Sequence, residues 1–306
     1  MRKLIVLSLV FAIALHQPLK AQYYFYNDKY YDKDIVLDLG ATFGVMNGLT
    51  DLGGKKTTGI KKLTEGINWK TASPSFGGYI MAMYKDKIGL RLEATFGEVS
   101  GADSLLKHEK KPSTGRYESN LSFKSRISEL QLGLEIHPLM FLNYDEQDPP
   151  RLSPYTVIGA GYYSFDPQAQ LNGQWYSLQP LSTEGQGFSE YPDRKPYKLS
   201  QFNISTGLGI KYEISSMFNA RLEANYRFLF TDYLDDVSTT YIDPNLFRNY
   251  LPTNVAAVAQ RLYNRKGELK PSGTASIGDQ RGSPSSNDSY FTIQVKIGVI
   301  IGRQRR

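Results

Sequence analysis

Three histidines are the scarcest chemistry-bearing side chains of this 306-residue chain, and cysteine is absent. Without cysteine there is no disulfide, thiolate metal site, thiol nucleophile or lipobox. Hydrolysis would need a histidine base beside a hydroxyl nucleophile, with a carboxylate to orient it. His16 lies in an apolar N-terminal run, His137 ends an alternating segment, and His108 has Ser104 nearby in sequence. Loop histidines are usually just solvated, so a non-enzymatic protein is expected, with a lipid A-modifying enzyme as an alternative. Asp232, Asp235, Asp236 and Asp243 offer oxygen ligands of the kind calcium takes. Their spacing is not that of a calcium loop, and turn-forming or capping aspartates are the reading preferred. No metal or cofactor is expected. Lys55, Lys56, Lys61, Lys62, Lys107, Lys110 and Lys111 fall in loops, where they could meet lipopolysaccharide phosphates or serve solubility.

The elements that position these groups begin with an export signal. Arg2 and Lys3 form a basic start, Leu4 to Leu15 an apolar stretch, and Ala21 a small residue before Gln22. Cleavage after Ala21 is expected, giving a signal at 1–21 and a mature chain at 22–306. The apolar run is too short to span a bilayer core of about 30 Å as a helix. Without Arg2, Lys3 and Lys20 the net charge falls from +6 to +3, so the basic balance argues little for nucleic acid. A mean hydropathy of −0.39 resembles that of a soluble protein. It is equally compatible with a barrel, which spends only alternate strand residues on lipid.

In the mature chain one parity is repeatedly apolar and the other polar, the mark of strands with two different faces. From Ala220 to Phe230, Leu222, Ala224, Tyr226 and Phe228 alternate with Arg221, Glu223, Asn225 and Arg227. Val295, Ile297 and Val299 alternate with Gln294, Lys296 and Gly298, and Leu37, Leu39 and Ala41 with Asp38, Gly40 and Thr42. Similar patterns surround Arg91 and Glu93, Glu129 to Glu135, and Asn203 to Lys211. Two glycine- and tyrosine-rich segments, Ser75 to Tyr84 and Pro154 to Phe165, bring the count to eight, though their outward parity is not evident.

The fold expected is all-β: an eight-stranded antiparallel transmembrane β-barrel, OmpA-like, in the outer membrane. Tight links at 85–87 and 214–217 alternate with long ones at about 48–72, 101–120, 166–199 and 231–287, as short periplasmic turns alternate with long outside loops. Pro138 to Ser153 is long for a periplasmic turn. Tyr162, Tyr163, Phe165, Tyr226, Phe228, Phe230, Tyr233, Tyr290 and Phe291 are expected to form an interfacial girdle. The inward parity then carries Asp38, Arg91, Glu93, Glu129, Glu135, Lys211, Arg221, Glu223, Arg227 and Lys296. In so narrow a bore these charges must pair or cost several kcal/mol each, so a salt-bridged plug is preferred to an ion path.

Further motifs carry a resemblance to a family. They are Pro154-Tyr155 with Gly159 and Gly161; Gly173-Gln174-Trp175-Tyr176; Leu178-Gln179-Pro180-Leu181; Thr183-Glu184-Gly185-Gln186-Gly187; Tyr191-Pro192-Asp193; and Thr231-Asp232-Tyr233-Leu234-Asp235-Asp236-Val237-Ser238. Upstream, Asn120-Leu121-Ser122-Phe123 leading to Glu129-Leu130 also fits. With these the chain resembles the PorG group of Bacteroidetes outer-membrane barrels, associated with the type IX secretion system. The match spans most of Ile35 to Asp243, and the polar insert Tyr250 to Asn287 has no counterpart in it. The resemblance implies a secretion accessory or scaffold that docks to a periplasmic PorK/PorN ring. It marks Trp175, Tyr176, Pro180, Glu184, Gln186, Asp232, Tyr233, Asp235 and Asp236 as family loop positions. A surface barrel binding lipopolysaccharide or host molecules is the alternative kept beside it. The chain ends in Arg303-Gln304-Arg305-Arg306, a basic tail placed in the periplasm by this topology.

Overall fold

The computed structural model describes residues 34–52, 69–108, 116–142, 150–269 and 273–302. The export signal, Lys55, Lys56, Lys61, Lys62, Lys110, Lys111 and the arginine tail lie outside the described residues.

Nine strands occur in chain order among these residues. They are β1 (Ile35–Leu49), β2 (Ser73–Tyr84), β3 (Ile88–Ala102), β4 (Ser122–Ile136), β5 (Leu152–Leu171), β6 (Gln174–Ser177), β7 (Ser200–Glu213), β8 (Phe218–Leu229) and β9 (Ser289–Ile301). All neighbours pair antiparallel, β1 also meets β9, and β4 meets β5, so eight strands close on themselves and β6 is appended to β5. Closure leaves no unpaired edge around the ring, which a hydrocarbon environment requires.

The alternation of the sequence becomes two opposed surfaces. On the outside Leu90, Leu132, Leu208 and Leu222 are 54%, 52%, 71% and 54% exposed. A soluble sandwich would bury this parity; here it covers the outer wall while Arg91, Arg221 and Lys296 are almost fully buried. On β3 the outward apolar run goes from Ile88 to Phe96. At about 3.4 Å per residue and a tilt near 40° it stands roughly 21 Å tall, close to the apolar band of a membrane barrel. The chain is therefore a membrane-spanning barrel. β2 and β5 follow the same rule: Phe76, Ile80 and Tyr84, and Leu152, Ile158 and Tyr162, face out.

At one end two links, 85–87 and 214–217, are tight, and the third, 137–151 between β4 and β5, is longer. Lys85 and Asp86 both adopt positive φ in the three-residue link 85–87 between β2 and β3, where the Lys87 N–H donates to the Tyr84 carbonyl at 2.9 Å. The opposite end is far more structured than a set of loops. β5 continues to Leu171 and turns at Asn172-Gly173, both at positive φ, into β6. The segment 231–287, expected as a loop, carries helices α2 (Leu246–Tyr250), α3 (Thr253–Leu262) and α4 (Lys266–Leu269), a short α1 (Arg116–Ser119) having come before. The insert from Tyr250 onward is thus no solvated polar loop. Ala256, Ala259, Leu262 and Tyr263 pack with Phe247, Tyr241, Phe188 and Leu171 in a second apolar core above the barrel.

The expected aromatic girdle is corrected in part. Tyr162, Phe228 and Phe230 are outward and exposed. Tyr163, Phe165 and Tyr290 point inward and, with Met46, Val99, Phe123 and Ile127, fill the upper bore. Phe291 has the outward parity but lies beneath the edge of Trp69, with ring centroids 6.3 Å apart. Tyr233 stacks on Tyr197 within the cap rather than at a lipid boundary. The physical reason is shared: the strands run on past the membrane band into a cap, which buries their outer ends.

Candidate functional site

The lumen is built by parity. Every second residue of eight strands points into one narrow bore, so acids and bases far apart in sequence meet across it. All ten predicted lumen charges, Asp38, Arg91, Glu93, Glu129, Glu135, Lys211, Arg221, Glu223, Arg227 and Lys296, are buried, five of each sign.

Arg91 on β3 is the hub of the half nearer the tight turns. Its Nη1 and Nη2 donate to Glu223 on β8 at 2.7 and 2.9 Å, the two-pronged fit of a guanidinium to a carboxylate. Nη1 also donates to Glu135 at 2.8 Å, and Nε lies 3.1 Å from Glu93. Lys296 on β9 reaches both oxygens of Glu93, at 2.7 and 2.6 Å, and Glu223 at 3.0 Å. Arg221 binds Asp38 at 2.6 Å and pairs with Glu135. Neutral donors complete the acids: Tyr155 to Glu223 at 2.8 Å, Tyr79 to Asp38 at 3.1 Å and Asn219 to Asp38 at 2.9 Å. Space for the two tyrosines comes from glycine; a Cβ on Gly209 would collide with the Tyr155 ring, and one on Gly298 with the Tyr79 hydroxyl.

Three of the ten charges, Arg227, Glu129 and Lys211, stand apart from this hub. Arg227 pairs with Glu129 at 3.1 Å higher in the bore, where Asn203 also donates to Glu129 at 2.7 Å. Lys211 lies near the tight turns and pairs with Glu213 at 2.9 Å and Asp86 at 3.5 Å.

His137 makes a contact that the sequence reading missed. Its Nε2 lies 2.8 Å from Glu135 and its Nδ1 2.9 Å from the Ser153 hydroxyl, the connectivity of a hydrolytic triad. The three are at most 2% exposed, and Glu135 is held by Arg91 and Arg221 as well. A substrate carbonyl has no approach to a hydroxyl so enclosed, and the arrangement reads as the lower end of the lattice. His108 falls in a 3-10 turn, Asp103–His108, in the third connection.

The family loop positions assemble in the cap. Glu184 receives the N–H groups of Ser238 and Thr239 at 2.9 Å each, the Thr239 hydroxyl at 2.7 Å and Arg281 at 2.9 Å. Arg281 also donates to the backbone carbonyls of Asp236 at 2.6 Å and Tyr263 at 3.2 Å. Asp236 accepts from Tyr197 at 2.7 Å and Thr183 at 2.5 Å. Burial raises the Asp236 carboxyl to about 6, with Arg281 opposing. Gln186 takes the Glu184 N–H at 3.0 Å. Asp232 and Asp235 are buried nearby, and Asp243 accepts the Asn245 N–H at 2.9 Å as a turn former. Trp175 is exposed on β6 with the Lys124 ammonium 3.7 Å over its ring. The Tyr176 hydroxyl donates to Gln174, and Pro180 opens a 3-10 turn, Gln179–Leu181. Sequence reasoning did not find Arg281 or Asp288, since each acquires its partners only when the cap closes.

No family model matches the chain, and no curated protein matches it. Among solved structures it is similar to Ail, the attachment invasion locus protein of Yersinia pestis, at 10% identity, over 87% of this chain and 97% of that one, with a TM-score of 0.35. It is likewise similar to OprG of Pseudomonas aeruginosa (12% identity, 90% and 99% covered, TM-score 0.35). The N-terminal β-barrel domain of P. aeruginosa OprF follows (10% identity, 88% and 98% covered, TM-score 0.33). The assignment of a closed eight-stranded barrel stands on the strand pairing itself.

Proposed function

We propose that the chain is a closed, non-enzymatic outer-membrane barrel that acts as a scaffold rather than a conduit. The observation that carries this is the lattice crossing the bore: Arg91 on β3 grips Glu223 on β8, with Glu93, Glu135 and Lys296 tied to the same pair. A hydrated ion would have to break several buried pairs, at about 3–5 kcal/mol for each charge left uncompensated. An apolar plug of Tyr163, Phe165, Tyr290 and Leu234 and then the cap lie above it, so both ends of the bore are filled.

The finer reading is an accessory of the type IX secretion system, tethering a PorK/PorN-type periplasmic ring to the membrane. It rests on the PorG-like residues, with Glu184, Gln186, Asp232, Asp235 and Asp236 buried in the cap that would define the group. A surface role is the competing reading, favoured by the extent of that cap outside the membrane. Crosslinking in intact cells with an affinity tag, then mass spectrometry of the captured proteins, separates them. Capture of periplasmic ring proteins, with cargo retained in a deletion strain, is the outcome expected. Capture of lipopolysaccharide and abundant envelope proteins alone, with normal secretion, would retire the secretion role and leave a surface barrel.

A further inference from the structure

The outer end of the bore holds a group of acids that the ion-pair lattice does not use. Asp51 follows β1, Asp232 and Asp235 follow β8, and Asp288 immediately precedes β9. Asp232, Asp235 and Asp288 are buried. Each of three acids binds backbone in another stretch of chain. Asp235 accepts the Leu52 N–H at 2.9 Å and the Val237 N–H at 3.0 Å. Asp288 accepts the Leu234 N–H at 2.9 Å, and Asp51 accepts the Ser283 N–H at 2.5 Å. Asp232 differs. Neither of its enclosed oxygens meets a donor at hydrogen-bond geometry, although the Ser238 side chain is close enough to favour the charged form.

Among the described residues positive charge does not balance Asp232, Asp235 or Asp288. Among the described residues no basic side chain forms an ion pair with them. Arg281 is engaged by Glu184 and Asp236, Arg194 donates to the Glu184 carbonyl and to Thr240, and Lys266 lies over the Tyr241 ring. The described residues include no group of three acidic or imidazole side chains placed to hold a metal ion. Among the described residues, what relieves like charges packed beside Leu52, Leu234 and Val237 is the binding of protons.

We propose that Asp232, Asp235 and Asp288 form a proton-held clasp that fastens the outside cap to the barrel rim and loosens when these three ionise. The groups facing them are Asp51 from the end of β1, Glu184 from the segment after β6, Ser238 from the chain after β8, and one another. Burial, reinforced by Asp235, raises Asp232 to about 9. Burial, reinforced by Asp51, raises Asp235 to about 8, and burial with Asp235 and Asp232 takes Asp288 well above the usual carboxylate range. An opened cap would return these groups to roughly 4. The closed form therefore binds more protons between about pH 4 and pH 9, so closure is firmest at the acid end and weakens as pH rises through that window.

Hydrogen exchange on the mature chain in lipid vesicles tests this. Protection of the Leu52, Leu234 and Ser283 amides would be followed from pH 5 to pH 9, corrected for intrinsic exchange and referenced to β4 amides. For each proton released, opening becomes about tenfold easier per pH unit, so these amides should lose protection while β4 does not. Asp232→Asn keeps the shape and removes one ionisable group; it should flatten the slope while leaving protection at pH 5 intact. Should that variant fail to fold, infrared spectra of the wild type decide, because protonated carboxyl bands should persist at pH 7 and weaken as pH rises to 9. A flat exchange profile, protonated carboxyl bands absent at pH 7, or protection at pH 5 that needs calcium and yields to a chelator would overturn the proposal.

Discussion

At the scale of single residues the barrel depends on complete pairing. Glu223 is the acid that Arg91, Lys296 and Tyr155 share. Glu223→Ala would leave two buried cations short of charge and is expected to cost about 3–5 kcal/mol, read as a lower unfolding midpoint in urea with micelles. Exchanging Glu223 for Gln keeps the volume and should lose less. In the cap, Glu184→Ala would take from Arg281 its nearer carboxylate and leave two backbone N–H groups without their acceptor. Limited proteolysis should then cut between Tyr241 and Arg281 while the barrel still resists heat in gel-shift assays. Ser153 gives a third expectation. Because its hydroxyl is enclosed with His137 and Glu135, a fluorophosphonate probe should not label it in the folded protein, and Ser153→Ala should change no hydrolytic activity.

At the scale of elements, α3 shows what holds the cap down. Ala256, Ala259 and Leu262 are its buried face, at spacings of three residues that place them on one side of a helix. Ala259→Leu would overpack this contact at a cost of about 1–3 kcal/mol, detected as faster amide exchange in the cap with unchanged exchange in β8. The same elements mark how far the sequence could be read. Strands β1, β3, β4, β7, β8 and β9 were legible because a charge or amide on one parity faces a leucine or isoleucine on the other. On β2 and β5 the inward parity is Tyr79, Met81 and Met83, and Tyr155, Val157 and Tyr163, so both faces look apolar. The β5–β6 hairpin was legible in principle, since Asn172-Gly173 is the dipeptide that a turn with two positive φ values favours. The cap was not: Asp235 meets Leu52, and Arg281 meets Glu184, across separations that no local pattern encodes. For the same reason inward aromatics such as Tyr290 resembled a lipid-facing girdle.

At the scale of the whole molecule three layers succeed one another along the axis: a charged lattice near the tight turns, an aromatic and aliphatic plug, and a folded cap. A barrel of eight strands has room only for its own side chains, and here they are tied to one another across the bore. The sequence alone made the lattice foreseeable, because ten charges of one parity must pair once the bore is dry. It offered no means to foresee that the far end would also be packed with apolar side chains. The most direct test is electrical recording of the purified mature protein in planar bilayers at neutral pH. The closed-barrel account predicts silent membranes, with no stepwise current in the wild type. Steady, reproducible channels in the wild type, altered in size or selectivity by Glu223→Gln or Arg91→Met, would contradict it and make the lattice an ion path.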